Sequence, residues 1–289
     1  MAYDPRNSPP DFNFFHFNTP HTIMFSRNLR VSIFEDNIIW ADKAANLEQL
    51  KRNLRNMPED TDLVILPELF TTGFIIDDRD LAASLAERNT GETMSTLHQL
   101  ANEYHVAFTG TFLAHTAGQL FNRAFFIEPN GEDTFYDKRH LFAFGGEDKV
   151  YKQGVVNQAP IIRYRGFNIK LIVCYDLRFP VFIRNVNNAY DLLIVVANWP
   201  KARENAWRTL LLARAIENEC YVCGVNRCGT DPQGIEYSEG SSLIIDFKGK
   251  VITQRGTSPI IAADLSPAPL ARFREKFPAW RDADPFTLL

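Results

Sequence analysis

This chain of 289 residues has no long apolar run. Its longest purely aliphatic stretch, Leu192 to Ala197, falls far short of the roughly 18 residues that span a bilayer, so no membrane partner is expected. It also lacks an excess of either charge: 31 Lys and Arg stand against 35 Asp and Glu, a net −4. A nucleic-acid partner would call for a basic patch or run, and the expected ligand is therefore a small molecule. Cysteine is scarce. The four residues at 174, 220, 223 and 228 are too few and too clustered to staple a chain of this length with disulfides, and a cytoplasmic, reducing setting is the expectation. Cys220 and Cys223 form a lone CxxC, but no second pair exists and no histidine lies beyond His140. Residues i and i+3 of a strand also point to opposite faces, so no metal site is expected. The first 27 residues are rich in Phe and Pro yet have no basic start, apolar segment or small-residue cleavage site, and so do not read as a secretory signal. With Met24 just ahead of the first convincing strand, residues 1–27 read as a flexible extension and residues 28–289 as a single domain.

What is present is an ordinary globular composition, 45% hydrophobic and 23% charged, which can bury a large core. Leu29 to Phe34 alternates and reads as a strand, and from Asp42 onward Leu47, Leu50, Leu54 and Met57 recur at helical spacing. Asp62 to Leu66 is a short apolar run suited to a strand buried on both faces, and it ends at Pro67-Glu68. A helix over Glu92 to Tyr104 follows, then strands at Ala107 to Ala114, Asn122 to Glu128 and Thr134 to Asp137. Beyond a linker at 139–160, rich in Gly, Lys and aromatics, the order recurs. Strand Phe167 to Val173, a short helix from Pro180, strand Leu192 to Ala197, helix Arg203 to Glu217 and strands Tyr221 to Asn226 and Ser242 to Asp246 make the second round. Ser266-Pro267 opens a last helix through about Lys276. The duplicated strand-helix-strand-helix-strand-strand unit predicts layered α/β structure: two sheets, each covered by helices on one face.

In such proteins the active crevice lies at the carboxyl ends of strands. Glu68 follows DLVILP, Lys138 follows TFYD and Cys174 follows FNIKLIV. Singly, each has an ordinary reading as a solvated loop charge or a small core thiol. Together they supply what acyl transfer needs: a nucleophile, a base to activate it and a cation for the developing oxyanion. A carboxylate held away from water has a raised pKa and can take the thiol proton, then return it to a departing amine. Lysine would lower the thiol pKa and hold the oxyanion. The backbone N–H of Tyr175 is a second oxyanion donor if Cys174 sits on a tight turn. Two other classes stay open at this point: a Cys-His hydrolase using His140, and a binding module without catalysis.

The segments LPELFTTGF around Glu68, YDKRHLF around Lys138 and VCYDLRFP around Cys174, separated by 70 and 36 residues, resemble the nitrilase superfamily of carbon-nitrogen hydrolases. The catalytic set of that family is Glu, Lys and Cys in this order. GGEDKVYKQG, VVANWP, ARAIENECYVCGVNRCG and EKFPAWRDADPF extend the resemblance from about Leu29 to the C-terminus. It implies a four-layer α-β-β-α sandwich with an internal pseudo-two-fold, paired into homodimers. Glu147, in GGEDKVYKQG, matches a second family glutamate that positions substrate or assists the attacking water. Within the superfamily the omega-amidase branch is similar in TTGF, HLF, CYDLRFP and EKFPAW. Many members have Glu after RFP; Val181 stands there instead, as in bacterial omega-amidases.

The implied reaction releases ammonia from the terminal amide of 2-oxoglutaramate or 2-oxosuccinamate through a thioester on Cys174, with no metal or organic cofactor. Other family substrates, such as a carbamoyl compound, a deaminated glutathione or a nitrile, are the alternative. A 2-oxo dicarboxylate monoamide ends in a carboxylate, which suits a guanidinium fork. Arg178, four residues after Cys174, is the first candidate to hold it, set against the simpler reading that it pairs with Asp176 or a neighbouring helix. Phe70, Phe74 and Trp199 are candidates for apolar walls, although aromatics beside strands commonly belong to the core.

Overall fold

The computed structural model describes residues 27–154, 159–255 and 259–287. Apart from Arg27, the N-terminal extension expected from the sequence lies outside the described residues. In chain order the strands are β1 (Leu29–Phe34), β2 (Leu63–Ile65), β3 (Ala107–Thr116), β4 (Gln119–Ile127), β5 (Asp133–Asp137), β6 (Ile161–Tyr164) and β7 (Phe167–Val173). They continue as β8 (Leu192–Ala197), β9 (Tyr221–Asn226), β10 (Gly229–Thr230), β11 (Glu236–Tyr237), β12 (Leu243–Ile245), β13 (Gln254–Arg255) and β14 (Ile260–Leu265). The helices are α1 (Lys43–Leu54), α2 (Arg79–Leu85), α3 (Glu92–Tyr104), α4 (Glu147–Val150), α5 (Pro180–Ile183), α6 (Glu204–Glu217) and α7 (Pro267–Lys276).

One sheet has the order β13-β14-β1-β2-β3-β4-β5 and the other β12-β9-β8-β7-β6, with β10 and β11 as a separate ribbon. In the first, β1, β2 and β3 run parallel and β4 returns antiparallel. In the second, β7, β8 and β9 run parallel and β12 returns antiparallel. The duplicated unit expected from the sequence is therefore present as matched topology. The matching fold is the four-layer α-β-β-α sandwich.

Period-two alternation assigns each residue to a layer. Leu29, Val31 and Ile33 of β1 and Leu63 and Ile65 of β2 join the core shared with the second sheet, whereas Val64 and Leu66 face Leu47 and Leu50 of α1 and Met94 and Leu97 of α3. The two sheets touch directly. The rings of Phe126 and Tyr164 lie 5.4 Å apart, and the Tyr164 hydroxyl donates to the Asp62 carbonyl at 3.0 Å. On the far face, Trp207, Leu211 and Ala215 of α6 cover the second sheet. A Cβ added at Gly224 in β9 would meet the Leu211 side chain at 2.3 Å, so glycine is what lets α6 close on the strands. The start of α1 is marked by Asp42, whose side chain accepts from the Ala45 N–H at 2.9 Å, a cap worth about 1 kcal/mol.

One expectation about the fold needs correction. Residues 139–160 are not a simple linker: Ala143–Gly145 forms a 3-10 turn, α4 follows, and Val150 and Tyr151 are buried. Short segments without strong periodicity hid this order. The edge strand β6, the strand β14 and the short helix α2 were likewise not anticipated, since four to seven residues give too little pattern to read. Among the described residues, no helix is long and apolar enough to cross a membrane.

Candidate active site

Three strand ends and one short helix converge on Glu68. The chain leaves β2, turns at Pro67, and buries Glu68 completely. Its Oε1 accepts from the Lys138 ammonium at 2.9 Å and from the Asn122 amide at 2.7 Å. Oε2 accepts from the backbone N–H of Asn198 at 2.7 Å, and the Asn198 side chain donates to the Glu68 carbonyl at 2.7 Å. Lys138, immediately after β5, also donates to both Glu147 oxygens, at 2.9 and 3.0 Å. Glu147 opens α4 and accepts from the Phe142 N–H at 2.5 Å.

All three charges are out of water, with Lys138 1% exposed and both glutamates 0%. Burial alone would push the Lys138 ammonium down, but the charges of Glu147 and Glu68 outweigh it and hold it well above its ordinary range. Burial raises Glu147; Lys138 opposes that rise and the negative charge of Glu68 adds to it. Two carboxylates around one ammonium leave the cluster with a net negative charge when all are ionised, which makes it a ready proton acceptor.

Cys174 faces this cluster from the end of β7. Its φ is +44°, a left-handed conformation that costs a β-carbon residue about 1–3 kcal/mol and is met at functional turns. The turn is held by Asp176. One carboxylate oxygen accepts from the Val173 N–H at 3.0 Å and the Tyr136 hydroxyl at 2.9 Å; the other accepts from the His140 N–H at 2.9 Å and bonds its Nδ1 at 2.7 Å. Cys174 is half-buried. Desolvation pushes its thiol well up, the Glu68 charge pushes it further, and Lys138 pulls the other way. The resting sulfur is therefore a neutral thiol whose proton must leave during attack. The Tyr175 N–H lies in the leading turn of the 3-10 segment Cys174–Arg178, where N–H groups have no intrahelical acceptor.

A cavity of about 250 Å³ opens over the sulfur, lined by Phe74, Tyr175, Arg178 and Trp199 among the expected residues. Phe70 is not there: it is buried in the core on the other side of the first sheet, its ring 6.1 Å from that of Phe125. An aromatic two residues after the glutamate turns away because the strand end has already twisted into the loop. Arg178 does not pair with Asp176, whose oxygens are taken; its guanidinium lies 4.9 Å from the Trp199 ring centroid. His140 is stacked on Phe179 at 3.9 Å and bound to Asp176, so it braces the nucleophile turn. Asn122, Asn198, Phe142, Arg203 and Tyr237 were missed. Asn198 had a signal, a polar residue directly after a buried strand; Asn122, inside β4, had none.

Cys220 stands just before β9 and Cys223 within it, both fully buried and with burial pushing their thiols up. Among the described residues, no group of three or more His, Cys, Asp or Glu is placed to hold a metal.

The carbon-nitrogen hydrolase family model matches residues 30–275. The chain belongs to the carbon-nitrogen hydrolase family. Omega-amidase YafV of Escherichia coli strain K12 is 42% identical over 262 residues, covering 90% of this chain and 98% of the relative. A 2-oxoglutaramate amidase of Bacillus subtilis is 28% identical over 256 residues, covering 87% of this chain and 96% of the relative. Among solved structures, XC1258 of Xanthomonas campestris, a CN-hydrolase superfamily protein with an arsenic adduct in its active site, aligns with a TM-score of 0.84. It is 39% identical, and the match covers 91% of this chain and all of that one. Members of this family hydrolyse carbon-nitrogen bonds, so the protein is a hydrolase acting on amides.

Proposed function

We propose that this hydrolase is an omega-amidase, converting 2-oxoglutaramate or 2-oxosuccinamate to the 2-oxo dicarboxylate and ammonia. The observation that carries the reading is the closure of Glu68, Lys138 and Glu147 into one buried ionic cluster facing Cys174, in a chain whose relatives include omega-amidases. In the proposed mechanism Cys174 Sγ attacks the amide carbon while Glu68 takes the thiol proton. The Lys138 ammonium and the Tyr175 N–H hold the oxyanion. The carbon-nitrogen bond breaks, Glu68 protonates the departing nitrogen, ammonia leaves and a thioester remains. Water then attacks the thioester, giving its proton to Glu68, with Glu147 holding Lys138 and orienting the water. The carbon-sulfur bond breaks, the thiolate recovers its proton from Glu68 and the free acid departs.

Phe74 and Trp199 form apolar walls in this reading, and Arg178 holds the remote carboxylate. The mechanism uses no metal and no organic cofactor. Activity should survive exhaustive EDTA treatment, and loss on chelation with recovery on added zinc would overturn that part. We extend the reading to a cytoplasmic homodimer, on the resemblance to the family; light scattering should give twice the chain mass.

The deciding experiment is ammonia release from a panel of amides and nitriles. The 2-oxo dicarboxylate monoamides should be hydrolysed much faster than glutamine, neutral aliphatic amides or nitriles. Faster turnover of nitriles or neutral amides would sink the assignment.

A further inference from the structure

The substrate proposed above has a neutral amide at one end and a carboxylate beside a keto oxygen at the other, and the cavity is charged to match. Cys174 lines it, with the buried cluster of Glu68, Lys138 and Glu147 behind the thiol. The residues that line it include two guanidiniums, Arg178 and Arg203, and no carboxylate. Arg178 lies over the Trp199 ring at 4.9 Å and Arg203 over the Phe142 ring at 5.2 Å. Stacking of this kind holds the plane of a guanidinium while leaving its N–H edges for a ligand. The Trp199 indole N–H donates to the Arg203 carbonyl at 2.8 Å, so the platform beneath one arginine is tied to the backbone of the other. The acids nearby are engaged elsewhere. Glu236 pairs with Lys201 at 2.8 Å, Glu204 accepts from the Ser238 hydroxyl at 2.6 Å, and Asp176 is bound by Tyr136 and His140.

We propose that Arg203 is a second specificity-determining residue, acting with Arg178 to bind the 2-oxo acid end of the substrate and to repel the 2-ammonium group of an ordinary amino-acid amide. One guanidinium can satisfy a carboxylate in a bidentate pair. The second supplies donors for the adjacent keto oxygen, an acceptor that an ammonium cannot replace. An ammonium would also bring a third positive charge against the two arginines, and like-charge juxtaposition is a strong means of rejecting a wrong partner. The same pair accounts for a substrate entering amide first: its anionic end is drawn to the arginines and kept from the negative cluster behind Cys174.

The inference rests on the omega-amidase reading, and four amides of equal chain length separate the two: 2-oxosuccinamate, succinamate, asparagine and butyramide. The unmodified enzyme should prefer 2-oxosuccinamate. In Arg203→Gln the ratio of kcat/KM for 2-oxosuccinamate over succinamate should fall about tenfold to 100-fold, mainly through KM, because the site loses donors matched to one substrate oxygen. Discrimination against asparagine should weaken in the same variant. Arg203→Lys keeps the charge and loses the fork, so it should retain the rejection of asparagine while losing preference for the keto group. Unchanged ratios in Arg203→Gln, or equal loss on all four amides, would overturn the role of Arg203 while leaving an omega-amidase in place. An unmodified enzyme that prefers butyramide would overturn the substrate reading and this inference with it.

Discussion

Strands β1 and β7 hold equivalent places in the two sheets, each between an antiparallel neighbour and a parallel one. The residue after β1 is Glu35 and the residue after β7 is Cys174. Both Glu35 oxygens are occupied, by the N–H groups of Gly240 and Ser242 at 2.8 Å each, so this acid ties the first sheet to the segment entering β12. Cys174 takes a left-handed turn, and its side chain opens on the cavity. A second pair, Glu68 beyond β2 and Asn198 beyond β8, meets and forms hydrogen bonds across the pseudo-two-fold. The scaffold therefore offers matched positions, and what separates a structural tie from a reactive group is whether backbone donors saturate the side chain.

The sharpest break in this comparison should come from Cys174→Ala. It should lower activity about 10⁴-fold or more with an unchanged unfolding midpoint, and iodoacetamide should label Cys174 in the unmodified enzyme by mass spectrometry. Full activity in that variant would end the proposed mechanism. Next in size is Lys138→Ala, expected to cost about 100-fold to 1000-fold in kcat through loss of an oxyanion donor. His140→Ala should cost far less, because His140 acts only through Asp176; the reverse order would revive the Cys-His reading.

At the matched position on β1 the effect should be on stability. Glu35→Gln turns an acceptor into an N–H donor opposite a backbone N–H, and a buried group left unsatisfied costs about 1–3 kcal/mol. Denaturant unfolding should register that loss while the folded variant stays within a few-fold of full activity; inactivity with full stability would erase the distinction between the two strand ends.

The smallest effect concerns the neighbouring Asp36, whose carboxyl burial pushes from an ordinary 3.8 up to about 6, against a hydrogen bond from Asn53 and the charge of Arg52. A folded pKa above the unfolded one means that ionisation works against folding. The penalty is absent below the unfolded pKa, grows as pH rises to about 6, and is constant above. Two pKa units correspond to at most about 3 kcal/mol, and less here because the residue keeps some contact with water. Asp36→Asn should therefore unfold at a higher temperature than the unmodified protein at pH 8 and not at pH 4. A gain equal at both pH values would show that desolvation of the charge is not the cause.

Much of this was legible in the sequence, for identifiable reasons. β1, β7, β8, β9 and α3 fall where the apolar pattern predicts them, because the strands are buried between two layers and α3 is long enough to show one apolar face, Met94, Leu97, Leu100 and Ala101, against the first sheet. Glu68, Lys138 and Cys174 stood out because a polar residue ending a buried strand breaks the pattern. β6, β14 and the segment around α4 were not legible. Their order comes from partners far along the chain, as when β14 pairs with β1, and no local pattern encodes that.

The sequence by itself determined the layers, the duplicated topology and the three residue types at strand ends, since these follow from periodicity and local chemistry. Tertiary structure alone decided which charges meet. It set Lys138 between Glu68 and Glu147, turned Phe70 into the core, bound His140 to Asp176, and brought Arg178 and Arg203 to one cavity. The physical reason is that charge coupling depends on separation in space and on exclusion of water, and neither is fixed until the two sheets have packed.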